Sequence, residues 1–292
     1  MKRDIWIGLC VGLTGFMVMA APDTSVPCKG SVVTLRSGSY EVHVNPATAW
    51  TPCAIRYDGI QVGLSNGFYG AVLWTGPAKF IGTGHREGGV EIVTNLSLIV
   101  DGEARDVLPG AVYAGAKLVL TKRSLIDRLG AEAVLSVAAN GVGEFLRVTA
   151  REPQTVEGMY VFMHPFTAST REWIAGKGTN VYGGELRSDN DWELRRQVDW
   201  AGLYSPGDEL GVVVAYPEAY DVAGIKNGIW DLTRYHKLYL QAMAKRTFAP
   251  GETQAWSMRL RCFRAPPGTW RVEAHRVRDQ INPEWAGAQA GR

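Results

Sequence analysis

Short runs in which apolar and polar residues alternate recur from Ser31 to Ala265, and they restrict this chain to a fold built of sheet. Tyr40-Glu41-Val42-His43-Val44 alternates, as do Lys117 to Leu120, Ala133 to Val137, Glu144 to Val148 and Leu210 to Val214. A period of two sends one set of side chains to a core and the other away from it. Patterns of helical period are scarce. Asp101-Gly102, Asn140-Gly141, Asn227-Gly228 and Pro250-Gly251 read as turns or hairpins. No sequence repeat of fixed period is present, and no linker rich in Pro, Ser or Gly divides the pattern. The fold class read from this is all-β: one large antiparallel β-supersandwich over residues 21–292, with a core at about 31–265 and few or no helices. In the tail 266–292, Trp270 to Gln280 reads as a short helix or a docked strand, and Gly287 to Arg292 as a fraying end.

The amino terminus indicates the compartment. Lys2 and Arg3 precede an apolar run from Ile5 to Met19, and Val18-Met19-Ala20 has the small-residue spacing of a signal-peptidase site. Residues 1–20 are therefore expected to be a signal peptide, and the mature protein to be periplasmic or extracellular. The run is short for a spanning helix, which needs about 20 apolar residues, and no second run of that length occurs, so no membrane association is expected after cleavage. Loss of Cys10 with the leader leaves Cys28, Cys53 and Cys262. Export permits a disulfide, either Cys28 with Cys53 or Cys53 with Cys262, but buried thiols are the first expectation. The 292 residues carry 31 basic and 29 acidic side chains with no basic block, which gives no footprint for nucleic acid.

Four segments concentrate chemistry. In Gly82-Thr83-Gly84-His85-Arg86-Glu87-Gly88-Gly89-Val90-Glu91, four ionisable groups sit among four glycines. Such a segment fills a core poorly and offers proton transfer and anion binding; a solvated hairpin is the plain alternative. Met163-His164-Pro165-Phe166 places a histidine where proline is expected to end a strand; the alternative is a packed turn histidine. If Tyr235 to Gln241 is a strand, Tyr235, Lys237, Tyr239 and Gln241 share one face beside Trp230 and Asp231, while His236, Leu238 and Leu240 share the other. Trp200-Ala201-Gly202-Leu203-Tyr204, with Tyr182 and Trp192 upstream, offers flat rings on which sugars stack, unless the rings pack the core. The sequence contains no Gly-x-Ser-x-Gly elbow, nucleotide-binding glycine loop or His-Glu-x-x-His pair. His85 and Glu87 alone do not make a metal site, so neither metal nor cofactor is expected.

Three of these places resemble the galactose mutarotase-like superfamily, the supersandwich of aldose epimerases that also occurs as a domain of polysaccharide lyases and glycoside hydrolases. Gly84-His85-Arg86-Glu87-Gly88-Gly89 is similar to the epimerases' His-Gly-Gly segment, and Met163-His164-Pro165-Phe166 to their Asn-His-x-Tyr-Phe motif. Pro250-Gly251-Glu252 before Ala255 to Phe263 resembles the turn that feeds their last strand. The resemblance implies His85 and His164 as acid and helper. It supplies no base, because Tyr239-Leu240-Gln241-Ala242-Met243-Ala244 has no carboxylate where the epimerases place one. Mutarotation would then need Glu87 or Glu91 as a relocated base.

The types that remain suit β-elimination on an oligo- or polysaccharide containing uronate. Arg86 or Lys237 would neutralise the carboxylate, His85 or His164 would take the adjacent proton, and Tyr235 or Tyr239 would protonate the departing oxygen. Glu87 would assist His85, with Glu91, Trp200, Tyr204 and Trp230 as further binding residues. A non-catalytic carbohydrate-binding protein using the same aromatic residues is the reading from another class.

Overall fold

A computed structural model describes residues 28, 31–64, 70–76, 79–82, 85–216 and 226–289. The proposed leader, its cleavage position and Cys10 lie outside the described residues, as do Thr83, Gly84 and the last three residues. Among the described residues the chain is all-β, with two large sheets face to face and one α-helix. Along the eleven-stranded first sheet run Asp191–Arg196, Asn227–Asp231, Tyr235–Met243, Gly158–Thr167, Ile60–Gly63, Thr51–Tyr57, Tyr40–Asn45, Val33–Ser37 and Val112–Ala114. Gly70–Trp74 and Phe80–Ile81 branch from Gly158–Thr167. The ten-stranded second sheet runs Asn180–Glu185, Glu172–Lys177, Trp200–Ser205, Leu210–Ala215, Thr253–Arg264, Gly141–Ala150, Leu129–Ala138, Lys117–Ile126, Ile92–Val100 and Glu103–Arg105. The ladders are antiparallel except where Val33–Ser37 meets Val112–Ala114.

The period-two pattern sorts side chains as expected. Leu118, Leu120, Val137, Val142, Leu146 and Val148 of the second sheet interlock with Val42, Val44, Val161, Leu238 and Leu240 of the first. Burying such chains contributes about 1.5–3 kcal/mol each, so this face dominates the stability of the sandwich.

Three expectations change. Asn227-Gly228 is not a turn: it begins the strand Asn227–Asp231, because a pair whose neighbours are ladder-bonded on both sides overrides local turn preference. Pro165 does not end a strand either. Its carbonyl accepts from Leu64 N–H at 2.8 Å, so the missing proline N–H faces the end of Ile60–Gly63 and leaves the ladder to Tyr235–Met243 intact. The tail holds a helix from Trp270 to Gln289, longer than expected and including residues assigned to the fraying end. Trp270, Ala274, Val277 and Ile281 lie at helical spacing on one face. They form a second apolar core with Trp200, Tyr204, Val213 and Phe263 on the outer side of the second sheet.

Of the two disulfide pairings, the structure contains Cys28 with Cys53, their Cα atoms 5.6 Å apart, within the range a disulfide spans. These two are therefore bonded rather than buried thiols. Cys262 is a buried thiol whose pKa is pushed up by burial.

Candidate functional site

On the outer face of the first sheet, four aromatic rings run edge to face. Trp230 and Trp192 have centroids 4.8 Å apart, Trp192 and Tyr239 5.5 Å, and Tyr239 and Tyr160 5.4 Å, all at favourable aromatic separations. Strand register produces the run, since Trp192 opposes Trp230, Trp230 opposes Lys237, and Gly228 opposes Tyr239. Gly228 makes room for it: a Cβ there would stand 2.3 Å from a Trp192 ring carbon.

Two cations border the rings. The Lys237 ammonium lies 5.1 Å from the Tyr239 centroid and the Arg195 guanidinium 5.0 Å from that of Trp192, inside cation–π range. Lys237 is buried although it shares the face of Tyr235 and Tyr239. On the opposite face, His236 places Nδ1 2.5 Å from Asp231 Oδ1, which explains a histidine among leucines. Burial, and next the nearby Tyr235 and Tyr160, push the Tyr239 phenol above its ordinary range. Tyr239 therefore keeps its proton at neutral pH and can act there as a donor.

The glycine-rich segment meets this face through His85. Backbone bonds from His85 N–H to Gly82 and from Gly88 N–H to Phe80 fold it back on itself. Gly82 is required there, with φ +105° and a would-be Cβ 2.8 Å from the Ala71 carbonyl oxygen. The His85 ring packs 5.7 Å from Phe80, and its Nδ1 lies 3.2 Å from Glu87 Oε1. Glu87 also accepts from the Arg86 N–H at 2.9 Å. Burial raises the Glu87 carboxyl, but hydrogen bonds from its own and the Arg86 backbone and from His85 outweigh it and hold the pKa below the usual value. Burial lowers the His85 pKa; Glu87 opposes this, and the nearby Lys237 ammonium adds to the lowering. The result is a neutral imidazole, oriented by a carboxylate at one nitrogen and close to a cation, which is the arrangement of a general base.

The other candidates separate from this group. His164 is in the interior, its Nε2 2.8 Å from Glu144 Oε1 of the second sheet and its Nδ1 2.7 Å from the Phe162 carbonyl oxygen. It is not beside His85. The cause is a bulge: Val161 opposes Leu240 and His164 opposes Leu238, so two residues, Phe162 and Met163, face only Tyr239. Phe162 adopts φ +48° there. The extra residue turns His164 inward, where strict alternation from Tyr160 would have turned it outward. Glu91 is interior as well, its carboxylate 2.7 Å from both Lys122 Nζ and Ser124 Oγ. These side chains and Glu144 line a chamber of about 60 Å³ between the sheets. Trp200 and Tyr204 offer no ring face to a ligand: Trp200 packs on His275, and Tyr204 stacks on Trp270 at 5.0 Å and 2°. Arg86 is exposed on the glycine-rich segment.

No family model and no curated protein matches the sequence. Solved structures do. The Slr1438 protein of Synechocystis sp. PCC 6803 is similar over 82% of this chain and 98% of its own, at 11% identity and TM-score 0.53. A galactose mutarotase-like protein of Clostridium acetobutylicum aligns over 80% of this chain and 95% of its own, at 9% identity and TM-score 0.47.

The chain shares the fold of the Slr1438 protein.

The same fold aligns with 40% of GH36 alpha-galactosidase AgaA from Geobacillus stearothermophilus, covering 80% of this chain at 10% identity and TM-score 0.51. At such identities the likeness is one of fold, and roles must come from this chain's own residues. Sequence reasoning missed Tyr160 and Arg195 on this face. The signals were present: Tyr160 lies three residues before Met163 in the run that leads to His164, and Arg195 lies three residues after Trp192.

Proposed function

We propose that this protein is an exported carbohydrate-active enzyme that binds uronate-containing chains on the outer face of the first sheet and cleaves them by β-elimination. The observation that carries the reading is the Glu87–His85 pair within electrostatic reach of Lys237, which itself lies over the Tyr239 ring. Structural neighbours with carbohydrate-related names, such as the alpha-galactosidase, support a sugar ligand in general.

The rings of Trp230, Trp192 and Tyr239 stack against sugar faces, and Lys237 and Arg195 meet the carboxylate. Neutral His85 takes the proton on the carbon next to the carboxylate. That electron pair forms the new double bond as the bond to the β-oxygen breaks, and Tyr239 or Tyr235 returns a proton to the departing oxygen. Lys237 stabilises the charge that develops on the carboxylate. A mutarotase reading has lost one of its two possible bases, since Glu91 is held in the interior by Lys122, and Glu87 is occupied with His85. Incubation with a panel of uronate polymers should give the absorbance of an unsaturated uronate product. Absence of that absorbance across the panel, with ligand still bound, would leave the non-catalytic binder as the correct reading.

Gly228→Ala tests the platform without removing a ring. Its methyl collides with Trp192, so affinity for an oligouronate should fall about tenfold, the scale of one lost aromatic contact. Titration of a folded Gly228→Ala protein that binds like the parent would refute stacking on Trp192.

Export is supported by the leader pattern and by the Cys28–Cys53 disulfide, which suits an oxidising compartment. Amino-terminal sequencing of protein recovered outside the cytoplasm should begin at Ala21. A mature chain beginning at Met1 would contradict cleavage.

A further inference from the structure

The helix Trp270–Gln289 covers only one side of the second sheet's outer face, above Trp200–Ser205, Leu210–Ala215 and Thr253–Arg264. The other side, on Lys117–Ile126, Leu129–Ala138 and Gly141–Ala150, carries a groove of about 400 Å³. One row of the register crosses it, Arg123 opposite Glu132 and Glu132 opposite Arg147. Arg123 Nε lies 3.0 Å from one Glu132 oxygen and Arg147 Nη1 3.5 Å from the other. This carboxylate orients both guanidinium groups, yet each has five N–H donors and is about half exposed or more. Arg151, also in the lining, makes no ion pair among the described residues. The next row supplies Thr149, whose hydroxyl lies 2.9 Å from that of Thr253, and Gly130, which leaves the floor without a side chain. Arg147 also lies 5.3 Å over the half-buried Phe145 ring.

We infer that this groove is a second binding surface, for an extended anionic polysaccharide, independent of the His85 face. Two guanidinium groups on one carboxylate, with a third in the same lining, favour an anion. Arg123 and Arg147 stand two strands apart, about 10 Å at the backbone, with Glu132 between them. Charges separated by hydroxyl-bearing sugar fit that spacing: Glu132 and the threonines can bond the hydroxyls while the arginines meet the carboxylates. Nucleic acid, with one charge per ~1.7 Å of duplex, would press phosphates against Glu132. Both sheets lie between this groove and the His85 face, so the groove tethers a long chain without entering the reaction.

The probe is oligogalacturonate bearing a paramagnetic tag, with its carboxyl-reduced counterpart and duplex DNA as controls. The charged oligosaccharide should broaden the amide signals of Glu132, Arg147 and Thr149, and added salt should weaken the effect. The double variant Arg123→Gln with Arg147→Gln should lower affinity at these signals at least tenfold. It changes only exposed ion pairs, which add little to stability, so it should stay folded. Lys237→Met, on the other face, should leave the broadening unchanged, which separates failure here from failure of the elimination reading. No broadening in the parent, equal broadening by the carboxyl-reduced chain, or equal displacement by duplex DNA at matched charge would each overturn the inference.

Discussion

His85→Ala is expected to lower turnover of a uronate polymer about 10²-fold or more, the usual contribution of a positioned base, while affinity for the polymer changes little. A protein that only binds the chain would show no turnover to lose. The pH profile adds a test that a merely structural histidine would not meet. The base must be neutral, so activity should rise with pH through the His85 pKa. Because burial and Lys237 lower that pKa against the opposing Glu87, the midpoint should fall below the ordinary histidine value of about 6.5. Removing either charged neighbour should move it in opposite directions. Lys237→Met takes away a lowering influence and should shift the acid limb to higher pH. Glu87→Gln takes away a raising influence and should shift it lower, with a fall in kcat from the lost orientation. Shifts of the same sign in both variants would show that His85 is not the titrating group.

Trp270→Ala should cost about 3–5 kcal/mol, the range for a buried tryptophan cut to alanine. Trp270 is buried, stacks on Tyr204 at 5.0 Å, and donates from Nε1 to Glu172 at 3.0 Å. Its loss would open the core that the helix shares with the second sheet and leave Tyr204 facing water. For a chain of this size the melting temperature should fall by roughly 10 °C. Urea unfolding gives the free energy, and limited proteolysis reports whether the helix detaches first. A loss under about 1 kcal/mol would mean that the helix contributes little to the sandwich. By the same geometry, Trp200→Ala should reduce stability and leave sugar affinity unchanged.

Alternation along the strands revealed the sheets and the shared face of Tyr235, Lys237 and Tyr239, because a period of two is local and survives tertiary context. It could not reveal what covers a face. Trp200 and Tyr204 do lie on an outer face, but the residues that bury them come about seventy positions later, in a helix whose buried face shows only Trp270, Ala274, Val277 and Ile281. Glu91 looked available beside His85 because its partner Lys122 lies on another strand. His164 failed for a third reason, since nothing in Met159 to Pro165 marks the extra residue.

That bulge has an evolutionary consequence. Because Phe162 and Met163 share the place opposite Tyr239, a single-codon deletion between Val161 and His164 would remove the bulge and leave the second half of the strand in its present register. His164 would remain opposite Leu238 and against Glu144, with Pro165 still opposite Lys237. Descendants of one sandwich could thus gain or lose the bulge without altering topology, and the buried Glu144–His164 pair marks the register that both lengths share.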